Sequence, residues 1–471
     1  MIESAGPSWR RTLSETDVVS SSVWGPRVLK QSLIVIDVLA RETMLFAAAG
    51  LLIGGIDDAL VDLCFLRWYV ANIARCRPVQ RAWSARPDTQ GPLVVFVAAW
   101  DEVAVIGHML AAAVQRFEHP DYRIYVGLYP NDRPTIAAAA AVAATDPRIR
   151  LVIGDLPGPT TKAGCLNTVW RALCDDERRQ GFRARAVVLH DAEDVVHARE
   201  LSTFDTLIDR YAVVQLPVLP LIRRGSLVSG HYADEFAYAH GVQQIVRNRL
   251  GAAMPLAGTG CAIARDMLGR LADERGGDPF DAASLTEDYE MGLRIGELQG
   301  RSAFVRLRDP VDGSLIAVRA YFPETLQAAT RQKARWMTGI ALAGWDRTGW
   351  ARPHALGDHW MRMRDRRALL SVLVLAIAYA AILLWGASLL LHLATGRAGD
   401  AAYLAPWLAV STTGLLGWRI VMRIVCTGRT YGGRKALRSV PRFFVGNVVA
   451  LVAAPRALAR YVRLLRGGTV A

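Results

Sequence analysis

Ala186-Val187-Val188-Leu189-His190-Asp191-Ala192-Glu193-Asp194 is the stretch on which the reading of this chain turns. A run of strand-forming residues ends in three carboxylates. Charges this close resist ionising together at the end of a buried strand unless a cation offsets them. A divalent metal is the simplest such cation. Strands of an α/β sheet end where ligands bind, so Asp191 with Glu193 or Asp194 could hold Mg2+ or Mn2+ against a nucleotide diphosphate. An isolated cluster of this kind is more often a solvated acidic turn; its neighbours in the chain reverse that reading.

Upstream, from Pro92, and on to about Arg308, short apolar runs alternate with helical stretches, the pattern of a mostly parallel sheet. Leu93 to Ala99 reads as a strand, followed by a helix from about Asp101 to Arg116. A second strand, Tyr122 to Tyr129, ends at Pro130-Asn131-Asp132, and helices follow at Thr135 to Ala144 and Lys162 to Leu173. Acidic residues therefore recur just after strands, at Asp101-Glu102, Asp132 and Asp191. Each alone could be a helix cap or turn residue, but together they converge on one crevice. No phosphate-binding glycine motif of the P-loop or dinucleotide type follows a strand.

Downstream, Thr286-Glu287-Asp288 opens a helix that runs to about Leu298, with Thr286 as a natural N-cap. The helix dipole that favours acids here also helps keep Asp288 ionised, ready to take a proton from a hydroxyl. A later helix, about Glu324 to Gly339, carries Gln332 and Arg335 on one face, followed by Trp336. An Arg-Trp pair just before a membrane helix also fits an interfacial anchor.

The chain of 471 residues is 52% hydrophobic, high for a soluble enzyme. Ala368 to Leu393 and Ala401 to Trp418 carry no Asp, Glu, Lys or Arg, and both approach or exceed the roughly 20 residues that cross a bilayer. Gly396, Gly399 and Asp400 link them into a helical hairpin. Arg362, Arg364, Arg366 and Arg367 precede the hairpin, and Arg429, Arg434, Lys435, Arg438 and Arg442 follow it, so both its ends are expected in the cytoplasm. Met44 to Leu66 reads as one imperfect span interrupted by Asp57 and Asp58, and the polar first 30 residues argue against a removable signal peptide. Much of the net charge of +13 flanks these segments, which favours anionic lipids over nucleic acid as the partner. Six cysteines without C-x-x-C spacing are expected to be reduced thiols.

In order along the chain stand Trp100-Asp101-Glu102, Asp132, Lys162-Ala163-Gly164-Cys165-Leu166-Asn167, Asp191-Ala192-Glu193, Thr286-Glu287-Asp288 and Gln332-Lys333-Ala334-Arg335-Trp336. This series resembles the membrane-bound family-2 glycosyltransferases of the cellulose and hyaluronan synthase type, and most of all the phage adsorption protein NfrB family. The resemblance covers about Leu39 to Arg460. It implies a GT-A-type α/β catalytic domain with flanking transmembrane helices. Asp101, Glu102, Asp132, Lys162 and Asp191 would bind the nucleotide sugar, a UDP-sugar, with a metal on Asp191, Glu193 or Asp194. Asp288 would be the general base, with Glu287 and Arg335 beside it. Gln332, Trp336, Gly260 and Cys261 would meet the acceptor, a glycan or lipid-linked sugar.

The organisation expected from this resemblance is a loose segment and lead-in helix over 1–42, a transmembrane helix over 43–70 and the catalytic core over 90–310. Interface helices over 311–367, a transmembrane hairpin over 368–425 and a basic interfacial helix and tail over 426–471 complete it. The function implied is an inverting transferase in the bacterial inner membrane, its catalytic domain cytoplasmic, building an exported glycan with an outer-membrane export protein as a further partner. The alternatives are a single-transfer enzyme acting on a lipid acceptor and an inactive membrane scaffold. Intact acidic positions argue against the last.

Overall fold

A computed structural model describes residues 16–72, 91–396 and 403–467. The link through Gly399 and Asp400, together with Cys76, lies outside the described residues. The elements in order are α1 (Thr16–Asn72), β1 (Leu93–Ala98), α2 (Ile106–Arg116), β2 (Tyr122–Leu128), α3 (Arg133–Ala143), β3 (Ile149–Ile153), α4 (Lys162–Gln180) and β4 (Ala186–Asp191). Then come α5 (Glu200–Leu207), β5 (Val213–Gln215), β6 (Val218–Leu221), α6 (Leu227–Tyr238), α7 (Gln244–Arg249), β7 (Cys261–Ala264), α8 (Arg265–Glu274), α9 (Glu287–Glu297), β8 (Ser302–Phe304) and β9 (Val318–Tyr321). The last are α10 (Leu326–Trp336), α11 (Ala343–Thr348), α12 (Leu356–Arg366), α13 (Ala368–Thr395), α14 (Pro406–Tyr431), α15 (Gly433–Leu437) and α16 (Ser439–Leu465).

Seven strands form one sheet in the order β3-β2-β1-β4-β7-β5-β8, and β6 pairs with β9 in a small second sheet. The first four strands are parallel, whereas β7 runs antiparallel to both its neighbours. Strand β1 is apolar throughout because the sheet is covered on both faces. Leu93, Val95 and Val97 pack with residues of α2, α3 and α5 on one side, and Val94 and Phe96 pack with α4, α8 and α9 on the other. In register, Ala98 of β1 stands beside Asp191 and Gly127, so the ends of β1, β2 and β4 open on one edge. The fold is thus the α/β class expected, with helices suited to crossing a membrane on either side of the catalytic block.

Local departures have local causes. Strand β3 is absent from the sequence reading because Arg150 breaks its apolar run; it is an edge strand and exposes Arg150 to solvent. Helix α2 starts at Ile106 instead of about Asp101, since Asp101 adopts a left-handed φ of 57° and the Glu102 carbonyl accepts from the N–H groups of Val105 and Ile106. Thr286 occupies the N-cap position of α9 but makes no side-chain capping bond. Helix α10 ends at Trp336 and passes into a π-helical turn, Met337–Leu342.

Three helices among the described residues are long and apolar enough to cross a membrane: Lys30–Ala71, Ala368–Thr395 and Pro406–Tyr431. The molecule divides into two compact units, one of Met1–Gly55 with Leu373–Leu415 and one of Ile56–Val372 with Leu416–Ala471. In the first, the Asp37 carboxylate accepts from Ser388 (2.5 Å), Tyr403 (3.0 Å) and His392 Nε2 (3.0 Å). In the second, the acids that interrupt the N-terminal apolar run are all answered. Asp57 and Asp58 pair with Arg364 and Arg367, while Asp62 accepts from Tyr238 and Trp418, each at 2.8 Å. Helix α16 buries Val449, Ala453 and Ala457 against Tyr232 of α6, Ala329 and Ala334 of α10 and Met337 of the π-helical turn. The described cysteines are free thiols.

Candidate active site

Strand ends bring together the acids expected on the donor side. The Asp101 N–H donates to Asp132 Oδ2 (2.7 Å), and the Thr135 N–H donates to Asp132 Oδ1 (3.3 Å), so Asp132 caps α3 while facing the crevice. Burial pushes the Asp132 carboxyl up, but these donors outweigh it and hold the group below its ordinary range. Glu102 moves the other way: burial and the charges of Asp191, Asp101 and Asp132 raise it.

The three carboxylates after β4 divide. Asp194 turns inward, where its Oδ2 accepts from the Asp191 N–H (2.9 Å) and meets His190 Nδ1 (2.8 Å) and the Thr259 hydroxyl. His190 Nε2 faces Glu200 Oε1 at 2.6 Å. Burial alone would lower the His190 pKa, yet Glu200 and Asp194 lift it to about 10, which makes the ring an imidazolium at neutral pH. This buried ion set ties the Asp191 loop to the turn before β7 and to α5, and it engages Asp194 from within the fold. Glu193 instead reaches the crevice mouth, where partial burial and then the charges of Asp191, Asp194 and Glu102 raise it to about 7.

Lys162 is the bridge across the crevice. It sits at the first turn of α4, capped by Thr161, and its Nζ bonds both Asp191 and the Gly258 carbonyl (3.1 Å). Burial lowers its pKa, but Asp191, Glu287 and Asp288 hold it well above the usual lysine range. Gly258 has φ +74°, and a Cβ there would lie 2.7 Å from Asp288 Oδ2. Helix α9 comes this close because Gly292 lies against the backbone of Met254 to Leu256 with no room for a side chain. Burial and the neighbouring Glu287 raise Asp288 to about 7, against Lys162, the Tyr289 N–H and Arg335. Arg335 also donates to the Leu285 carbonyl at 3.1 Å.

The residues expected to meet the acceptor separate. Gln332 presents a buried Oε1 with no hydrogen-bond partner. Trp336 stands in an aromatic group with Tyr232, Phe236 and Phe322, at centroid distances of 6.1 to 6.5 Å. Gly260 is buried against Val318 and Gln215. Cys261 points into the core beneath the sheet and is fully buried among Leu189, Ile263 and Leu268, because side chains alternate along β7. The turn reaches the crevice through Gly258, not through Cys261. Sequence reading missed Gln215, whose amide donates to the Thr259 and Gly260 carbonyls (2.9 and 3.0 Å) and accepts from the Ala257 N–H (3.0 Å). A single buried Gln carries no signal in the sequence.

Gly258→Ala should therefore cost activity beyond ordinary backbone strain. A left-handed alanine costs about 1–2 kcal/mol, and the new methyl group must also displace Asp288 or the turn. The transfer rate is expected to fall by about tenfold or more. Gly276→Ala, at φ +77° with open space around it, is the control for strain alone and should leave the rate near that of the unmodified chain.

Residues 90–339 match the family model described as "Glycosyltransferase like family 2". The chain is 34% identical over 94% of its length to bacteriophage adsorption protein B of Escherichia coli strain K12, and equally to bacteriophage N4 adsorption protein B of Escherichia coli O157:H7. It spans 60% of the length of each of these relatives. Among solved structures, a mannosyltransferase from Pyrobaculum calidifontis in complex with GDP-mannose and Mn2+ is 18% identical, with a TM-score of 0.48 over 84% of this chain and 99% of that one. Glucosyl-3-phosphoglycerate synthase from Mycobacterium tuberculosis with Mn2+, UDP and phosphoglyceric acid is 18% identical, with a TM-score of 0.36 over 58% and 82%.

Proposed function

The chain belongs to glycosyltransferase family 2, and from that premise we propose that it transfers a sugar from a UDP-sugar to a glycan hydroxyl with inversion of the anomeric centre. The observation that carries this reading is the Lys162 bridge, which joins Asp191 to the Gly258 turn against which Asp288 rests. Donor carboxylates and base thus share one crevice.

No three His, Cys, Asp or Glu side chains among the described residues make a metal cage by themselves. Mg2+ or Mn2+ that shares its coordination with substrate phosphates needs only one or two carboxylates. Asp191 and Glu193 fit that role, since both are hard oxygen donors and their crowding with Glu102 already disfavours ionisation of Glu193. Asp194 serves His190 and Thr259 instead. When bound, the metal would offset charge on the leaving diphosphate.

The remaining steps belong to the chain's own side chains. Asp101, Glu102 and Asp132 hold the uridine end of the donor. Lys162 and Arg335 supply cations on the diphosphate side, where negative charge develops as the bond to the anomeric carbon breaks. The acceptor oxygen forms the new bond to that carbon from the opposite face, UDP departs with the bonding pair, and the hydroxyl proton passes to Asp288. Gln332 and Trp336 orient the acceptor, the first through its unpartnered amide oxygen and the second through its ring face.

A base must be ionised to accept a proton. With Asp288 raised to about 7, kcat/KM is expected to climb with pH, level off above about 7, and fall about tenfold per unit below it. A flat profile between pH 5.5 and 8 would contradict the assignment.

Arginines flanking α13 and α14 support a cytoplasmic catalytic block in a bacterial inner membrane rich in anionic lipids. A glycan built there would need an export route, with an outer-membrane protein as the matching partner. The test is to incubate the purified chain with Mn2+ and a panel of UDP-sugars and follow UDP release and product length. Release that depends on an acceptor and yields lengthening products supports polymer synthesis. One-step products on a lipid support the single-transfer alternative, and release from no donor refutes the enzyme.

A further inference from the structure

Away from the crevice, the β6–β9 sheet and the end of α14 gather cations that form no ion pair with a carboxylate among the described residues. Arg319 lies on β9 opposite Leu219 of β6. Side chains alternate along a strand, and Val318 packs on Gly260 of the catalytic turn, so Arg319 faces the other way. Arg306 follows β8, while Arg429 and Tyr431 end α14 and Lys435 sits on α15. Tyr431 is the hub. Its hydroxyl donates to the Pro220 carbonyl of β6 at 2.9 Å, Lys435 Nζ stands 5.8 Å from its ring centroid, and it lies within the electrostatic surroundings of both Arg306 and Arg319.

Where these cations donate hydrogen bonds, the acceptors are neutral oxygens. Arg319 makes two long bonds, both 3.3 Å, to the Ala317 and Leu315 carbonyls. Arg308 donates to the Gly313 carbonyl and Arg429 to the Tyr69 hydroxyl, each at 2.8 Å. The Nη1 of Arg306 is buried with no hydrogen-bond partner at all. Burial lowers the Arg306 pKa, and Arg308 and Arg429 lower it further; burial also lowers Arg319, with only a partial offset from Tyr431 and the exposed Asp312. Membrane flanks collect arginine for topological reasons, but Arg306 and Arg319 come from the sheet, not the flank. A half-buried guanidinium without an anion is costly to keep, and its planar fork matches phosphate oxygens.

We propose that Arg306, Arg319, Arg429 and Lys435, arranged around Tyr431, form an anion site for a phosphate group, separate from the donor crevice. The phosphate could be carried by a soluble ligand or by a lipid headgroup.

The test uses the full chain in detergent with EDTA present and inorganic pyrophosphate as the probe, titrated by calorimetry. Binding is expected to survive Asp191→Ala and to weaken by about tenfold or more in Arg306→Gln with Arg319→Gln, as loss of charged hydrogen bonds implies. UDP binding with Mn2+ should be unchanged in that double variant, which also reports on its folding. If it is lost, the exposed Lys435→Gln carries the test, with an expected weakening of a few fold. Equal pyrophosphate affinity in the arginine and lysine variants, or its loss in Asp191→Ala, would overturn the site. Repeating the titration in nanodiscs of phosphatidylcholine with or without phosphatidylglycerol assigns the source. Competition by phosphatidylglycerol supports a headgroup at the site, and undiminished binding supports a soluble phosphate there.

Discussion

Asp288→Asn is expected to slow sugar transfer by about 10² to 10⁴, the usual cost of losing a positioned base, while UDP binding stays nearly intact. The amide is the same size, and its oxygen can still accept from the Tyr289 N–H at 2.8 Å. It also relieves the like-charge crowding with Glu287, so the fold should not suffer. What it cannot do is take a proton. The part of the rise with pH that Asp288 sets should vanish with it, leaving Glu193 as the remaining crevice carboxyl raised to about 7. Rates in the variant comparable to those of the parent chain would remove Asp288 from the mechanism.

Asp191→Ala should be nearly as damaging for a different reason. Asp191 partners Lys162 across the crevice and is the carboxylate proposed to share a metal with the donor phosphates. Its loss is expected to lower transfer by about 10² or more, since a bound metal is worth several kcal/mol of charge stabilisation. Mn2+ affinity and UDP affinity should fall together, read by equilibrium binding without any acceptor. Full transfer in saturating EDTA, or unchanged UDP binding in the variant, would contradict a metal-linked donor site.

The outcome at these two residues explains how far the sequence could be read. Asp191, Asp132 and Asp288 were recognisable because each follows a strand or opens a helix, so one-dimensional order already fixes the end of the element on which it sits. The sheet followed from apolar runs for the same reason. Cys261 could not be resolved, because one residue of register along β7 decides whether a side chain faces crevice or core. The surroundings of Asp194 were equally illegible: they depend on His190, Glu200 and Thr259, and Thr259 is 65 residues away in sequence. Gln215 left no trace, since a buried amide that holds a distant turn has no local pattern. The cation cluster around Tyr431 was hidden because its members are spread from Arg306 to Lys435 and resembled ordinary membrane-flanking charge.

The proposed attack, with Asp288 on the face of the anomeric carbon opposite the leaving diphosphate, implies inversion. The direct measurement is the anomeric configuration of the product formed from an α-linked UDP-sugar, read by NMR on the first glycosidic bond made. A β linkage is the predicted result, whereas an α linkage, or no transfer from any UDP-sugar tested, would contradict the single-displacement chemistry assigned to Asp288.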